Sequence, residues 1–206
     1  LIVGCLDSID AATKFHSCEC QVIVVANRCT DSTEEIARER GSMVVRNDSR
    51  NLAMIRNAGA REATGEVLVT IDADSRMSPC TFAEIEKALG SGRYIGGGVP
   101  IRPERWSLGI AVSVFMLFAV MVPAWMSAGL FWCYRKDFEA IGGFDESRVI
   151  AEDVEFARRL RARGKTMGKR YGTLRRAPIT TSCRKFDRFG DWFTFKLIVT
   201  RPKVIL

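Results

Sequence analysis

Glu66-Val67-Leu68-Val69-Thr70-Ile71-Asp72-Ala73-Asp74 decides the reading of this 206-residue chain. Its first six residues have the apolar, β-branched look of a strand buried on both faces. That strand runs directly into two carboxylates one residue apart. Working outward, residues 21–26 (Gln21-Val22-Ile23-Val24-Val25-Ala26) and 43–45 read as two further strands. A helix over 32–40 is expected between them, with Ser32 and Glu35 as a capping box and Gly41 as its stop. Residues 51–63 read as a second helix, closed by Thr64-Gly65. Downstream, Ser78 as N-cap and Pro79 in the first turn open a helix to about Leu89, and Tyr94-Ile95-Gly96 reads as a strand.

Alternating strands and helices imply parallel pairing through right-handed crossovers. The fold class expected is α/β, a Rossmann-like, mostly parallel sheet flanked by helices, in a single domain over 1–206. Ligands of such sheets bind beyond the carboxyl ends of the strands. Two loops, 27–31 and 72–74, are expected there.

With 47% hydrophobic and 27% charged residues, the chain reads as globular, and disorder, collagen and a disulfide-stapled mini-protein are excluded. Net charge is uneven. Residues 1–103 carry 12 Lys/Arg against 14 Asp/Glu, and residues 104–206 carry 19 against 10. The basic second half is expected to meet something anionic. A single histidine, His16, placed in a polar loop, leaves little material for a His-based metal cage or a Ser-His-Asp triad. Seven scattered cysteines, with Cys18-Glu19-Cys20 lacking a second half, argue against zinc and for buried free thiols. Cysteine usage and the absence of a leader pattern point to a reducing, cytoplasmic setting. Aromatic residues do not interleave with the basic cluster, so nucleic acid is not expected as a partner.

Residues 107–134 contain no charged side chain. A helix over 108–122 is expected, too short and too interrupted by Pro123 and Gly129 to make a span the first choice. It reads as a helix covered by the core or by a second copy, or as one lying at an anionic membrane surface. Residues 129–134 then read as a buried strand.

Asp72 and Asp74 offer hard oxygen ligands suited to Mg²⁺ or Mn²⁺ that also holds phosphates, although an Asp-x-Asp after a strand is more often a turn or a helix cap. Glu152-Asp153 opens an amphipathic helix, where acidic residues also serve the helix dipole. Arg158 to Arg170 reads as a solvated basic face. Arg184-Lys185-x-x-Arg188, after a strand-like run over 178–183, suits phosphate or acceptor contacts, or a solvated or membrane-facing surface.

Taken in order, these pieces resemble glycosyltransferase family 2: residues 22–33, Arg56-Asn57-Ala58-Gly59, residues 63–66, Ile71-Asp72-Ala73-Asp74, residues 129–135, Phe138, Gly142-Gly143-Phe144-Asp145-Glu146 and Glu152-Asp153. The resemblance covers residues 1 to about 165. It implies a GT-A fold and an inverting, metal-dependent transfer of a hexosyl or related sugar from a nucleotide-diphosphate sugar to an acceptor whose identity is open. It also implies roles for particular residues. Asn27, Asp31 and Arg56 would bind the donor nucleotide. Asp72 and Asp74 would bind donor and divalent cation, Mg²⁺ or Mn²⁺. Asp153 would be the general base, supported by Glu152, with Arg184 and Arg188 near phosphate or acceptor. On this reading 1–103 is the nucleotide and metal half, and 104–206 the acceptor half. The partners implied are the donor, the acceptor, and an anionic membrane surface or a second copy through 107–134, at the inner face of the membrane. The family opens with a strand, whereas residues 1–9 read as the helix after it, so the first strand is expected to be missing from the chain. A strict Gln-x-x-Arg-Trp element is absent, which argues against a processive polymerase. Two other readings stay open: a catalytically idle GT-A-like binding or assembly module, and a sugar nucleotidyltransferase.

Overall fold

The computed structural model describes residues 1–121, 129–148 and 151–200. Nine strands and nine helices occur among them, in the order α1 (Ile2–His16), β1 (Ile23–Ala26), α2 (Thr33–Glu39), β2 (Met43–Arg46), α3 (Leu52–Arg61), β3 (Val67–Ile71), β4 (Ser75–Arg76), α4 (Thr81–Gly90), β5 (Tyr94–Gly98), β6 (Ile101–Pro103), α5 (Leu108–Met121), β7 (Leu130–Tyr134), α6 (Arg135–Ala140), α7 (Glu152–Thr166), β8 (Arg170–Thr173), β9 (Ile179–Thr181), α8 (Arg184–Phe189) and α9 (Phe193–Thr200).

The α/β class is as expected, and the pairing is more mixed than the sequence suggests. Among the described residues, β1–β2, β5–β8 and β6–β9 are parallel, and β3–β7, β5–β7 and β4–β9 are antiparallel. Two of the three antiparallel pairs come from β7, which enters between β3 and β5 against the direction of both; the third, β4–β9, lies in a separate three-stranded sheet. An antiparallel insertion of this kind leaves no trace in a strand-by-strand hydropathy reading, because a strand buried on both faces is apolar whichever way it runs.

Side chains of β7 alternate between two cores, as the two-residue period of a strand requires. Leu130 and Trp132 face a core that α1 and α4 cover through Ile2, Cys5, Leu6, Ile9, Ile85 and Leu89. Phe131 and Cys133 face the opposite core, built with Phe138, Phe144, Phe156 and Leu160. On α1 the buried positions 2, 5, 6 and 9 form one helical stripe. The fully buried Trp132 lies over Gly97 of β5 and Gly172 of β8. On α3, Gly59 lets the helix close on β1, since a Cβ there would lie 2.8 Å from Val25 Cγ2.

Several local expectations change. Ser32 makes no capping hydrogen bond; Asp31 Oδ1 accepts from the Thr33 N–H at 3.1 Å instead. Helix α4 starts at Thr81, because the Ser78 carbonyl accepts from the Thr81 N–H at 3.0 Å and turns the chain first. His16 is the last residue of α1, 2.9 Å from Glu86 Oε2, and not a loop residue. The basic face of α7 is not simply solvated. Arg163 Nε donates to the fully buried Asp137 at 2.8 Å, and Arg159 Nε donates to Glu155 at 2.6–2.7 Å and its Nη1 to the Ile141 carbonyl. Position 122 of the expected helix over 108–122, with the rest of 122–128, lies outside the described residues. No helix among the described residues is long and apolar enough to cross a membrane.

Glycine at position 97 is expected to be irreplaceable. A Cβ there would sit 1.9 Å from the Gly172 carbonyl oxygen, which is backbone and cannot swing aside. Gly97→Ala should destabilise the fold by about 3 kcal/mol in denaturant titration. Gly90→Ala, at a position with no neighbour within 4 Å, should change stability by less than about 0.5 kcal/mol. Equal effects at the two positions would contradict this packing.

Candidate active site

Strand β3 ends at Ile71, and the next three residues turn sharply. The Asp72 carbonyl accepts from the Ser75 N–H at 2.9 Å, and the Asp74 carbonyl accepts from the Ser182 N–H at 3.0 Å. Both backbone groups are thereby occupied, and the two carboxylates are left to project. Their side chains are 51% and 29% exposed, open enough to meet a ligand. Cys5 donates its thiol to the Asp72 carbonyl at 3.8 Å. Burial first, and then the negative charges of Asp72 and Asp74, push that thiol up to about 11, so Cys5 stays protonated and unreactive.

Helix α3 carries the next layer. Asn51 caps it, its Oδ1 accepting from the Ala53 and Met54 N–H groups at 2.8 and 3.3 Å. The amide of the same side chain donates to the carbonyls of Glu146 and Arg148 at 2.6 and 3.1 Å. Asn57 makes a two-way bond with the Phe144 backbone, donating to its carbonyl at 2.8 Å and accepting from its N–H at 2.9 Å, and also donates to Glu146 Oε1 at 3.0 Å. Gly143 permits this approach: its φ is +66°, and a Cβ there would lie 2.7 Å from Asn57 Oδ1. Phe144 is then pressed flat on Phe156 of α7, with ring centroids 4.3 Å apart and an angle of 22°. The Gly142–Glu146 turn is thus fastened to α3 on one side and to α7 on the other.

Arg56 stands between the two acidic motifs. Its Nη2 donates to Asp72 Oδ1 at 3.0 Å and its Nη1 to Glu152 Oε1 at 2.9 Å. The guanidinium carbon lies 5.3 Å from the centroid of the Phe144 ring, a cation–π arrangement. Ala151, just before the acidic pair, holds a left-handed φ of 58°, an uncommon state for a residue with a Cβ. Asp153 follows in the first turn, its Oδ1 accepting from the Val154 N–H at 2.8 Å.

The remaining expected site residues fall in two places. Arg184, at the start of α8, brings Nη2 to 3.6 Å from Asp74 Oδ2. Asn27 and Asp31 lie in the loop leaving β1, where the Asn27 amide donates to the carbonyls of Asn47 and Ser49 at 2.5 and 2.7 Å. Bonds from the Thr33 side chain and backbone hold the Asp31 carboxyl below the usual carboxylate range. Arg188 lies with its guanidinium carbon 5.2 Å from the Phe189 ring, and among the described residues it has no contact with the Asp72 cluster. Arg56, Asp72 and Glu152 are therefore joined directly, and Asp74 and Arg184 form a second pair. The scaffold residues Asn51, Asn57 and Phe144 carry no catalytic signature of their own; Asn57 and Phe144 were signalled by the Arg56–Gly59 and Gly142–Glu146 motifs, and Asn51 only as the first residue of the helix expected over 51–63.

The donor set suits a divalent cation that is held only in part by protein. No group of three or more His, Cys, Asp or Glu side chains able to hold a metal occurs among the described residues. Asp72 and Asp74 supply hard oxygens, and a Mg²⁺-like ion held by them would need waters or other ligands to complete its shell.

Comparison with solved structures gives the same fold. TarS from S. aureus superposes with a TM-score of 0.65 at 14% identity, over 97% of this chain and 37% of that one. The mannosyltransferase PcManGT from Pyrobaculum calidifontis, solved with GDP-Man and Mn²⁺, gives 0.58 at 24% identity, over 78% of this chain and 47% of that one. Glucosyl-3-phosphoglycerate synthase from Mycobacterium tuberculosis, solved with Mn²⁺, UDP and phosphoglyceric acid, gives 0.62 at 17% identity, over 98% of this chain and 74% of that one. The chain thus spans less than half the length of the first two. No curated protein matches the sequence. The family model described as Glycosyl transferase family 2 matches residues 1–142, well over half of the chain. With that match, and with a GT-A fold whose acidic motifs meet at one sheet edge, the chain belongs to glycosyl transferase family 2.

Proposed function

We propose that the protein transfers a sugar from a nucleotide-diphosphate sugar to an acceptor hydroxyl, with inversion at the sugar carbon and with a divalent cation. The observation that carries this reading is the convergence of Asp72 and Glu152 on one guanidinium, which puts Asp153 of α7 at the same end of the sheet as Asp74. Family membership supports the reaction class. The GDP-Man and Mn²⁺ of one structural neighbour, and the Mn²⁺ and UDP of another, support the donor class and the cofactor.

Asp31 and Asn27 then line the nucleoside end of the donor site, and Asp72 and Asp74 its diphosphate end. Asp72 and Asp74 would hold a Mg²⁺ or Mn²⁺, which when bound would supply Lewis-acid stabilisation of the negative charge on the diphosphate. Arg184, already beside Asp74 and 64% exposed at its side chain, is free to turn towards phosphate. Asp153 takes the acceptor proton as the new C–O bond forms. The old C–O bond breaks with its electron pair leaving on the nucleoside diphosphate. Glu152 supports Asp153 from the preceding position. Residues 1–103 serve as the donor half and 104–206 as the acceptor half.

Where the protein works is a further part of this reading. Around α5, α8 and α9 the large apolar side chains Trp106, Leu108, Phe115, Phe189 and Trp192 are exposed. Arg105 ties this region together through Asp187 and Asp191, at 2.6 and 2.7 Å. Lys185, Arg188 and Lys196 are exposed on the same helices. Aromatic and basic side chains in this mixture suit the interface of an anionic bilayer. We read the chain as peripheral at the inner face of the membrane, with its seven free cysteines in the reducing cytoplasm.

Two variants separate the roles in the site. With Mn²⁺ present, the protein should bind UDP or GDP in calorimetry. Asp74→Ala should abolish that metal-dependent binding, while Asp153→Asn should leave it within about 3-fold and lower transfer by about 100-fold or more. Nucleotide binding that survives Asp74→Ala would sink the metal assignment. No binding of any nucleotide by the unaltered protein would favour an idle assembly module. Co-sedimentation with vesicles should be seen for phosphatidylglycerol-containing bilayers and be lost in the Trp106→Ala/Trp192→Ala variant. A dimer in ultracentrifugation that the same substitutions dissolve would assign that face to a second copy instead.

A further inference from the structure

The geometry points to Arg56 as a positioning residue that sets the distance between the donor motif and the catalytic pair, by holding Asp72 with one arm of its guanidinium and Glu152 with the other. This inference rests on the functional reading above and deepens it, because the resemblance alone assigns Arg56 to the nucleotide.

Three observations carry it. First, both terminal nitrogens of Arg56 are already engaged, at 2.9 Å to Glu152 and 3.0 Å to Asp72. Second, the group is braced on its remaining sides. Its side chain is only 15% exposed, and it rests over Phe144, which Asn57 grips through its backbone and which stacks on Phe156 of α7. Third, Glu152 needs this partner. Its side chain is 10% exposed, and the ion pair with Arg56 is the bond the structure gives it among the described residues. A carboxylate buried to that extent is stable only when paired.

The arrangement has a consequence for the reaction. Asp153 is the residue after Glu152 and shares its helical turn, so fixing Glu152 fixes the backbone from which the proposed base projects. Asp72 leads the loop that carries Asp74. A planar fork with two arms transmits the position of one motif to the other, whereas a lysine ammonium on a flexible stem reaches one carboxylate at a time. Arg56 therefore acts through Glu152 and Asp72 and needs no contact with the reacting atoms.

The test combines kinetics with a melting cycle. Steady-state transfer and UDP or GDP binding with Mn²⁺ are measured for the unaltered protein and for Arg56→Gln, Glu152→Gln, Arg56→Lys and the Arg56→Gln/Glu152→Gln double variant. Arg56→Gln should lower kcat by about 30-fold or more, with donor KM and nucleotide affinity changed by less than about 3-fold. Glu152→Gln should give a similar loss, and the double variant should lose no more than the worse single one. Arg56→Lys should fall in between. Without metal or nucleotide, the double variant should melt no lower than the less stable single variant. Loss of nucleotide affinity with kcat unchanged would overturn the inference and return Arg56 to the donor site. Additive losses in the melting cycle would also overturn it, and that result is readable even if no donor is bound. A protein that couples Arg56 to Glu152 in melting but never binds nucleotide would instead contradict the functional reading, leaving the bridge intact. Should Arg56→Gln fail to fold, Arg56→Lys carries both measurements.

Discussion

Carboxylates gathered at one end of a sheet repel one another, and a shared cation is what lets this site exist. Two like charges about 6 Å apart repel by about 3 kcal/mol at an effective dielectric of about 20. Arg56 offsets that repulsion for Asp72 and Glu152 with one guanidinium, and Arg184 does so more loosely for Asp74. The rest of the architecture can be read as support for that pairing. Gly59 lets α3 close on β1, Asn51 fixes where α3 begins, and Asn57 fastens the turn that leads towards α7. The four-phenylalanine cluster of Phe131, Phe138, Phe144 and Phe156 sets the height of α7 above the sheet.

Much of this was legible in the sequence, for reasons that differ by element. The apolar run of β7 is visible because the strand is buried along almost its whole length, and β1 and β3, though half-buried, are visible through their β-branched residues. The placement of Asp72 and Asp74 beyond β3 follows from the chain alone. Partnering was not legible, because it joins residues far apart in the chain. Arg159 and Arg163 looked like a solvated stripe, and only the fold brings Ile141 and the buried Asp137 against them. The same holds for Arg56, whose motif suggests a nucleotide contact until Glu152 arrives from α7. Strand β4 and the antiparallel course of β7 escaped notice because length and direction of pairing leave little trace in composition. The Ser78 cap failed because the turn closed by its own carbonyl takes the Thr81 N–H, and at the start of α2 it is Asp31, one residue earlier, that accepts a backbone N–H, from Thr33.

The uneven charge of the chain acquires a location. The acidic first half supplies the two aspartates at the end of β3, and the basic second half supplies Arg184 beside Asp74 together with the exposed cations of α8 and α9. The single histidine also fits, since a site made of carboxylates and guanidinium groups has no use for imidazole. Family membership fixes the fold, and the chemistry proposed above rests on it.

The most direct test of the account is a crystal structure with Mn²⁺ and UDP or GDP bound. It predicts the ion between the diphosphate and the carboxylates of Asp72 and Asp74, with Arg56 still on Glu152 and Asp153 facing the sugar end of the site. A nucleotide bound elsewhere, or an Arg56 that has left Glu152 for the phosphates, would contradict it.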